Sequence, residues 1–160
     1  MLEHNVMYGA GAKKLEAIAN SGLNGTQIKS TFYAKYPAIK ELVDALEKSY
    51  DVHGTYIKTL DGRRVYIRSK HKLLNTLIQS AAAIIFKQWM LEIHGILPTG
   101  GNQVIAMHDE VQVEFSGNKL GATLLGEEMC RLAEVVGKDL GIKVPVTAEA
   151  KVSKTWRGTH

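Results

Sequence analysis

The sequence predicts an α+β fold, and three observations carry that expectation. Helical periodicity fills the first third of the chain. Two short stretches rich in β-branched and aromatic residues each fold back about a turn signal. A long apolar run separates them. Together these describe a small, largely antiparallel sheet with packed helices, preceded by a helical N-terminal part.

Each element follows from local chemistry. From Ala12 to Asn20, Leu15, Ile18 and Ala19 recur at helical spacing before the Gly- and Asn-rich loop "SGLNG". "TQIKSTFYAKY" predicts a second helix that stops near Pro37. "PAIKELVDALEKSYDVHG" sets Ile39, Leu42, Val43 and Leu46 on one face, opens with proline and closes on Gly54. The change of pattern at residue 55 divides the chain into a helical part, 1–54, and a mixed part, 55–160.

In the mixed part, "TYIKTLDGRRVYIR" predicts a hairpin about Asp61-Gly62, a pair that accepts positive φ. From His71 to His94 a long helix is expected, with Leu73, Leu74, Leu77, Ile78, Ala81, Ile84 and Ile85 covering a wide apolar arc. After "PTGGN", the stretches "QVIAM" and "VQVEF" alternate as paired strands. A helix from about Leu120 to Leu140 closes at Gly141, and "KVPVTAEAKVS" alternates like a last strand.

The totals set bounds. With 160 residues, 45% of them hydrophobic and 22% charged, the chain can bury a core and is not of disordered composition. A formal charge of +4 is a mild excess of base. Cys130 is the single cysteine, which excludes an internal disulfide and a cysteine-based metal site and fits a reducing compartment. The start, "MLEHNVMYGAG", lacks a signal-peptide layout, and Gln79 and Lys87 interrupt the apolar run around "AAAIIF". A cytoplasmic protein without a membrane partner is expected.

Four features carry candidate chemistry. In "MHDEVQVEF" the ionisable residues His108, Asp109 and Glu110 fall at the tip of the second hairpin. Successive strand residues point to opposite faces, so both acids converge only if they occupy the turn, which makes Asp109 the primary candidate and Glu110 the secondary one. A hard divalent cation such as magnesium would offset their repulsion. His108 is a poorer magnesium ligand and suits a hydrogen bond to an anionic substrate. The other reading of such a pair is a solvated turn.

On the long helix, His71, Asn75 and Gln79 recur at four-residue steps as one polar stripe. This is either a wetted edge or a set of amides facing the minor-groove acceptors of a nucleic acid. Lys58, Arg63, Arg64, Arg68, Lys70 and Lys72 crowd residues 58–72 against one acid, Asp61. Arg64, Arg68 and Lys70 then make a phosphate track, or else the hairpin is simply a solvated basic one. In "MYGAGAKKLE", Tyr8 beside Gly9 is either a helix end with a core tyrosine or a stacking surface for a base.

In this order, "YGAGAKKL", "LDGRRVYIR", "HKLLNTLIQSAAA", "HDEVQVE" and "KTWRGTH" resemble the C-terminal part of a family A DNA polymerase, the polymerase I type, and most closely its bacteriophage replicative members. The resemblance runs from about Tyr8 to the end of the chain. It implies that 1–54 is a helical part of the fingers and 55–160 a portion of the palm. It places catalytic magnesium at Asp109, with Glu110 close to the metal centre and His108 near the primer terminus. Asn75 and Gln79 match amides that contact the duplex near the growing end, and Tyr8 matches the tyrosine beside the nascent base pair. His4 stands where the family has Phe or Tyr, four residues ahead of that tyrosine.

The resemblance also implies what is missing. The nucleotide-gripping lysine, eight residues ahead of Tyr8 in the family, would fall before Met1. No aspartate matches the first polymerase motif, since Asp44 and Asp139 sit on expected helices and Asp51 and Asp61 near a helix end or turn. Two-metal phosphoryl transfer needs carboxylates from more than one element, with ions about 3.5 to 4 Å apart. The expectation is therefore a C-terminal fragment of a DNA-directed DNA polymerase, inactive when isolated. It would act on primer-template DNA and deoxynucleoside triphosphates with two magnesium ions and an N-terminal polymerase fragment, in a bacterial or phage-infected host cytoplasm. The alternative is a non-catalytic duplex DNA-binding module derived from a polymerase.

Overall fold

The computed structural model describes residues 2–19 and 22–159, and the side chains of all of these except His4 and His53. The elements run α1 (Leu2–Met7), α2 (Ala12–Ala19), α3 (Gly25–Lys35), α4 (Pro37–His53), β1 (Tyr56–Lys58), β2 (Arg64–Tyr66), α5 (Leu73–Ile96), β3 (Gly101–Met107), β4 (Glu110–Phe115) and α6 (Lys119–Asp139). Short 3-10 turns occupy Lys70–Lys72 and Trp156–Gly158. The α+β expectation holds. Both sheets are two-stranded antiparallel hairpins. No helix among the described residues is long and apolar enough to cross a membrane.

Two compact units divide the chain, Met1–Ala82 and Ala83–His160. In the first, α1 to α3 close around Val6, Leu15, Ile28 and Phe32, all buried. Each such side chain contributes about 1.5–3 kcal/mol by leaving water. Asn24 caps α3 reciprocally: its side chain accepts from the Gln27 amide at 2.9 Å while the Gln27 side chain accepts from the Asn24 amide at 3.0 Å. Glu3 accepts from Lys35 Nζ at 2.8 Å and from the Tyr36 hydroxyl at 3.0 Å, joining α1 to the end of α3. A second core, Ile57, Ile67 and Leu73, lies under the β1–β2 hairpin and takes in Leu46, Tyr50 and Leu77 from α4 and α5. The hairpin's turn uses Gly62 at φ 80°, as the Asp61-Gly62 pair predicts.

In the second unit, the Trp89 indole donates to the Met129 carbonyl at 2.7 Å and ties α5 to α6. Gln103 Nε2 donates to the Met90 carbonyl at 2.7 Å and ties β3 to α5. Asn118 caps α6 by accepting from the Gly121 amide at 2.8 Å, and Gly141 at φ 71° follows its end.

Two local expectations change. Residues 143–153 are not a strand. They have no regular secondary structure and pass against α6, where a Cβ on Gly137 would stand 2.7 Å from Val146 Cγ2 and one on Gly126 would stand 2.9 Å from Ala150 Cβ. Their alternation therefore reflects one face laid on a glycine-lined helix rather than a ladder. His71 lies in the 3-10 turn before α5 rather than in the helix, so the expected three-residue stripe keeps only Asn75 and Gln79 on α-helical geometry.

Candidate active site and nucleic-acid interface

The second hairpin is built to present its tip. Met107 pairs with Glu110, so only His108 and Asp109 form the turn. His108 has φ 55°, the one non-glycine in the left-handed region among the described residues. A two-residue hairpin loop asks for positive φ at this position and favours glycine there. Holding a histidine instead costs about 1–3 kcal/mol, and strain of this kind clusters at functional sites. The turn carries Asp109 past the last ladder pair, with both His108 and Asp109 exposed. Glu110 opens β4, half-buried, and accepts a hydrogen bond from Gln112 Nε2 two residues along the same strand face. The turn placement expected for Asp109 is observed, whereas Glu110 pairs with Met107 on β4 and does not share the turn, so the two acids do not both occupy the tip as expected.

In the first unit the structure brings three other candidates together. Gly9, at φ 75°, packs against the backbone of His71, where an added Cβ would lie 2.5 Å from the His71 carbonyl oxygen. Tyr8 lies in the turn directly after α1, as expected of a helix end, but it is 39% exposed rather than a core residue. The side chain of His4 lies outside the described residues. On α5, Gln79 is exposed and Asn75 half-buried, one helical turn apart. Asn75 Oδ1 is buried with no hydrogen-bond partner among the described residues, a deficit of about 1–3 kcal/mol for a desolvated acceptor.

The basic hairpin divides its charges. Asp61 accepts from Thr59 Oγ1 and from Arg63 Nε. First the Thr59 hydrogen bond and then Arg63 hold its carboxyl below the usual carboxylate range. Lys70 donates to Asp51 at 2.7 Å, which raises the ammonium above the usual lysine range. Lys58, Arg64 and Arg68 are exposed, and Lys58 stands directly opposite Arg64 in the ladder. The Arg64 guanidinium lies over the Tyr56 ring, 4.9 Å from its centroid. Tyr56 in turn meets Tyr66 edge to face at 6.1 Å. The cations of this hairpin are among the expected site residues, and its tyrosines are not. The signal was the alternation of "YIK" and "RVY", which puts Tyr56, Lys58, Arg64 and Tyr66 on one face and Ile57 and Val65 on the other.

The sequence model described as DNA polymerase family A matches residues 1–158. The chain belongs to DNA polymerase family A.

Among its family A relatives, the DNA-directed DNA polymerase of Enterobacteria phage T3 is 30% identical over 98% of this chain and 25% of its own length. That of Escherichia phage T7 is 29% identical over 98% of this chain and 25% of its own. The chain thus spans about a quarter of the length of these relatives. In structure, this family A chain resembles the POL domain of Pol1 from M. smegmatis, solved in complex with DNA primer-template and dNTP, at a TM-score of 0.65 and 20% identity, covering 82% of this chain and 26% of that one. That likeness shows the fold of the family A chain.

Proposed function

We propose that this chain is the C-terminal part of a DNA-directed DNA polymerase, with residues 1–54 in the fingers and 55–160 in the palm. In the complete enzyme it takes part in joining a deoxynucleotide to a primer 3′ end. The 3′ oxygen bonds to the α-phosphorus of the incoming triphosphate, and the bond from that phosphorus to the leaving pyrophosphate breaks. The observation that carries this reading is the strained turn that holds an exposed Asp109, in a chain matched along residues 1–158 by the family. Phage relatives carrying the name DNA-directed DNA polymerase support the choice of reaction.

Each residue has a part. Asp109 and, secondarily, Glu110 are hard oxygen donors of the kind magnesium prefers, and that ion keeps several water ligands, so a site whose main ligand from this chain is Asp109 fits its chemistry. Among the described residues no group of three or more His, Cys, Asp or Glu side chains is placed to hold a metal. In this proposal the remaining carboxylate comes from the preceding polymerase segment. When bound, a pair of magnesium ions supplies charge stabilisation at the primer oxygen and the leaving pyrophosphate. His108 donates to the anionic primer terminus. Gln79, Asn75 and His71 contact the duplex near that terminus, Arg64 and Arg68 contact its phosphates with a smaller contribution from Lys70, which Asp51 holds, and Tyr8, Gly9 and His4 border the nascent base pair. The preceding segment also supplies the nucleotide-binding lysine. Exposed Val104, Ile105 and Met107 on β3 are the apolar surface expected of a strand that packs against more protein.

Primer extension with the isolated chain, and with the chain joined to or mixed with a cognate preceding segment, tests this reading. Extension only in the completed form supports it. Duplex binding without extension in any completed form supports the non-catalytic binding module instead.

A further inference from the structure

We propose that the outward face of the β1–β2 hairpin is a stacking platform for unpaired bases of a single nucleic-acid strand. Tyr66 receives a base, Tyr56 buttresses it, and Lys58 and Arg64 take the phosphates. The inference rests on the nucleic-acid-binding reading above and goes beyond it by naming the kind of strand and the residues that hold it.

The hairpin's inner face needs no help to fold. Ile57 and Ile67 are 2% and 4% exposed, and they share a core with Leu73. The outer face does the opposite and leaves Tyr66 74% exposed. An aromatic ring held in the open on a well-anchored two-stranded ribbon gains nothing from burial, yet it offers a rigid π surface. It has an aromatic neighbour on the same face: the Tyr66 ring meets Tyr56 at 64° between planes, and the Arg64 guanidinium lies 4.9 Å from the Tyr56 ring centroid.

Charge on the same face points to an anion. Lys58 and Arg64 are direct cross-strand neighbours. Like charges at such positions destabilise a ribbon. Folding alone would favour an acid at one of them, and the nearby acid, Asp61, is engaged by Thr59 and Arg63 in the turn. A polyanion lying across the pair removes the repulsion. Rings interleaved with cations match a single strand, which presents both phosphates and open base faces. A duplex satisfies the cations but keeps its base faces inside its own stack, so it gives Tyr66 nothing to hold. In a polymerase the unpaired template ahead of the primer end is such a strand.

The test is fluorescence anisotropy of the full chain with a labelled 12-nucleotide oligo(dT) and, separately, with a blunt duplex. Tyr66→Ala is expected to weaken single-strand binding about 5- to 150-fold, the worth of one stacked base. It should leave duplex affinity within about twofold, and Tyr66→Phe, which keeps the ring, should restore the single-strand value. The platform is overturned if the wild-type chain does not bind the oligonucleotide, if Tyr66→Ala stays within about twofold on it, if duplex binding falls equally, or if Tyr66→Phe is as damaging as Tyr66→Ala. Tyr66-dependent single-strand binding with no duplex binding by the wild type would uphold the platform and count against the duplex-contact part of the polymerase reading.

Discussion

Gly9 and His71, 62 positions apart in sequence, touch through their backbones: a Cβ on Gly9 would sit 2.5 Å from the carbonyl oxygen of His71. The contact fixes the end of α1 against the 3-10 turn that leads into α5. It therefore sets where Tyr8 stands relative to the start of the amide-bearing helix. Gly9→Ala meets two penalties, the clash with a carbonyl that has no rotamer to escape into and φ 75°, where side chains are strained. Urea denaturation should show a loss of at least about 1 kcal/mol. A loss within about 0.5 kcal/mol, as for an ordinary surface change, would mean the backbones are not in contact.

At the hairpin tip, stability and function should pull apart. Replacing His108 by glycine relieves its φ of 55° and should leave the chain as stable as before or up to about 1 kcal/mol more so. The same change removes the imidazole and should slow primer extension in the completed enzyme. His108→Val, β-branched in the same conformation, should instead be destabilised by about 1 kcal/mol or more. If valine is tolerated as well as glycine, the turn is not in the left-handed conformation.

Acid should loosen the first hairpin through Asp61. Its folded carboxyl lies below the usual value of 3.8, held chiefly by Thr59 and then by Arg63. The unfolded chain then binds the proton more readily, so the contribution is full above 3.8 and is lost as pH falls through the lowered folded value. Glu3 and Glu128 are lowered too and act in the same direction. The urea midpoint of Asp61→Asn should fall less steeply with acid than that of the wild type, and superimposable curves would remove Asp61 from the account.

Salt dependence separates the basic residues. Each phosphate contact adds about 0.9 to the slope of log affinity against log salt on duplex DNA. Arg68→Ala should reduce that slope by about this amount. Lys70→Ala should do less, because Asp51 already holds the ammonium at 2.7 Å. Asp51→Ala releases Lys70 and should tighten binding. Equal slopes for the two alanine variants would show that Lys70 abandons Asp51 for the phosphates.

Much of this was legible in the residues. Local codes were sufficient for α3, α4, α6 and both hairpins, because proline, the Asn and Gly caps and the Asp61-Gly62 turn act on their immediate neighbours. Asp109 at the turn followed from alternation on both sides of it. What could not be read depended on distant packing. The tail 143–153 alternates, yet it spends that alternation on Gly126 and Gly137 of α6, and nothing local distinguishes this from a ladder. Tyr8 looked equally like a core residue, and only the packing of α1 leaves it 39% exposed. The Tyr56–Tyr66 face follows from the period-two pattern, but only the pairing register sets the two rings opposite each other.

The claim on which the functional account depends is that Asp109 serves the chemistry of nucleotide addition. The direct measurement is single-turnover primer extension by the completed polymerase carrying Asp109→Asn, compared with wild type in magnesium, with urea midpoints matched to show that the exposed turn still folds. Loss of a metal-ligating carboxylate removes several kcal/mol of transition-state stabilisation, so the rate should fall about a thousandfold or more while primer-template binding stays within about threefold. A rate within about fivefold of wild type, with the fold intact, would contradict the account.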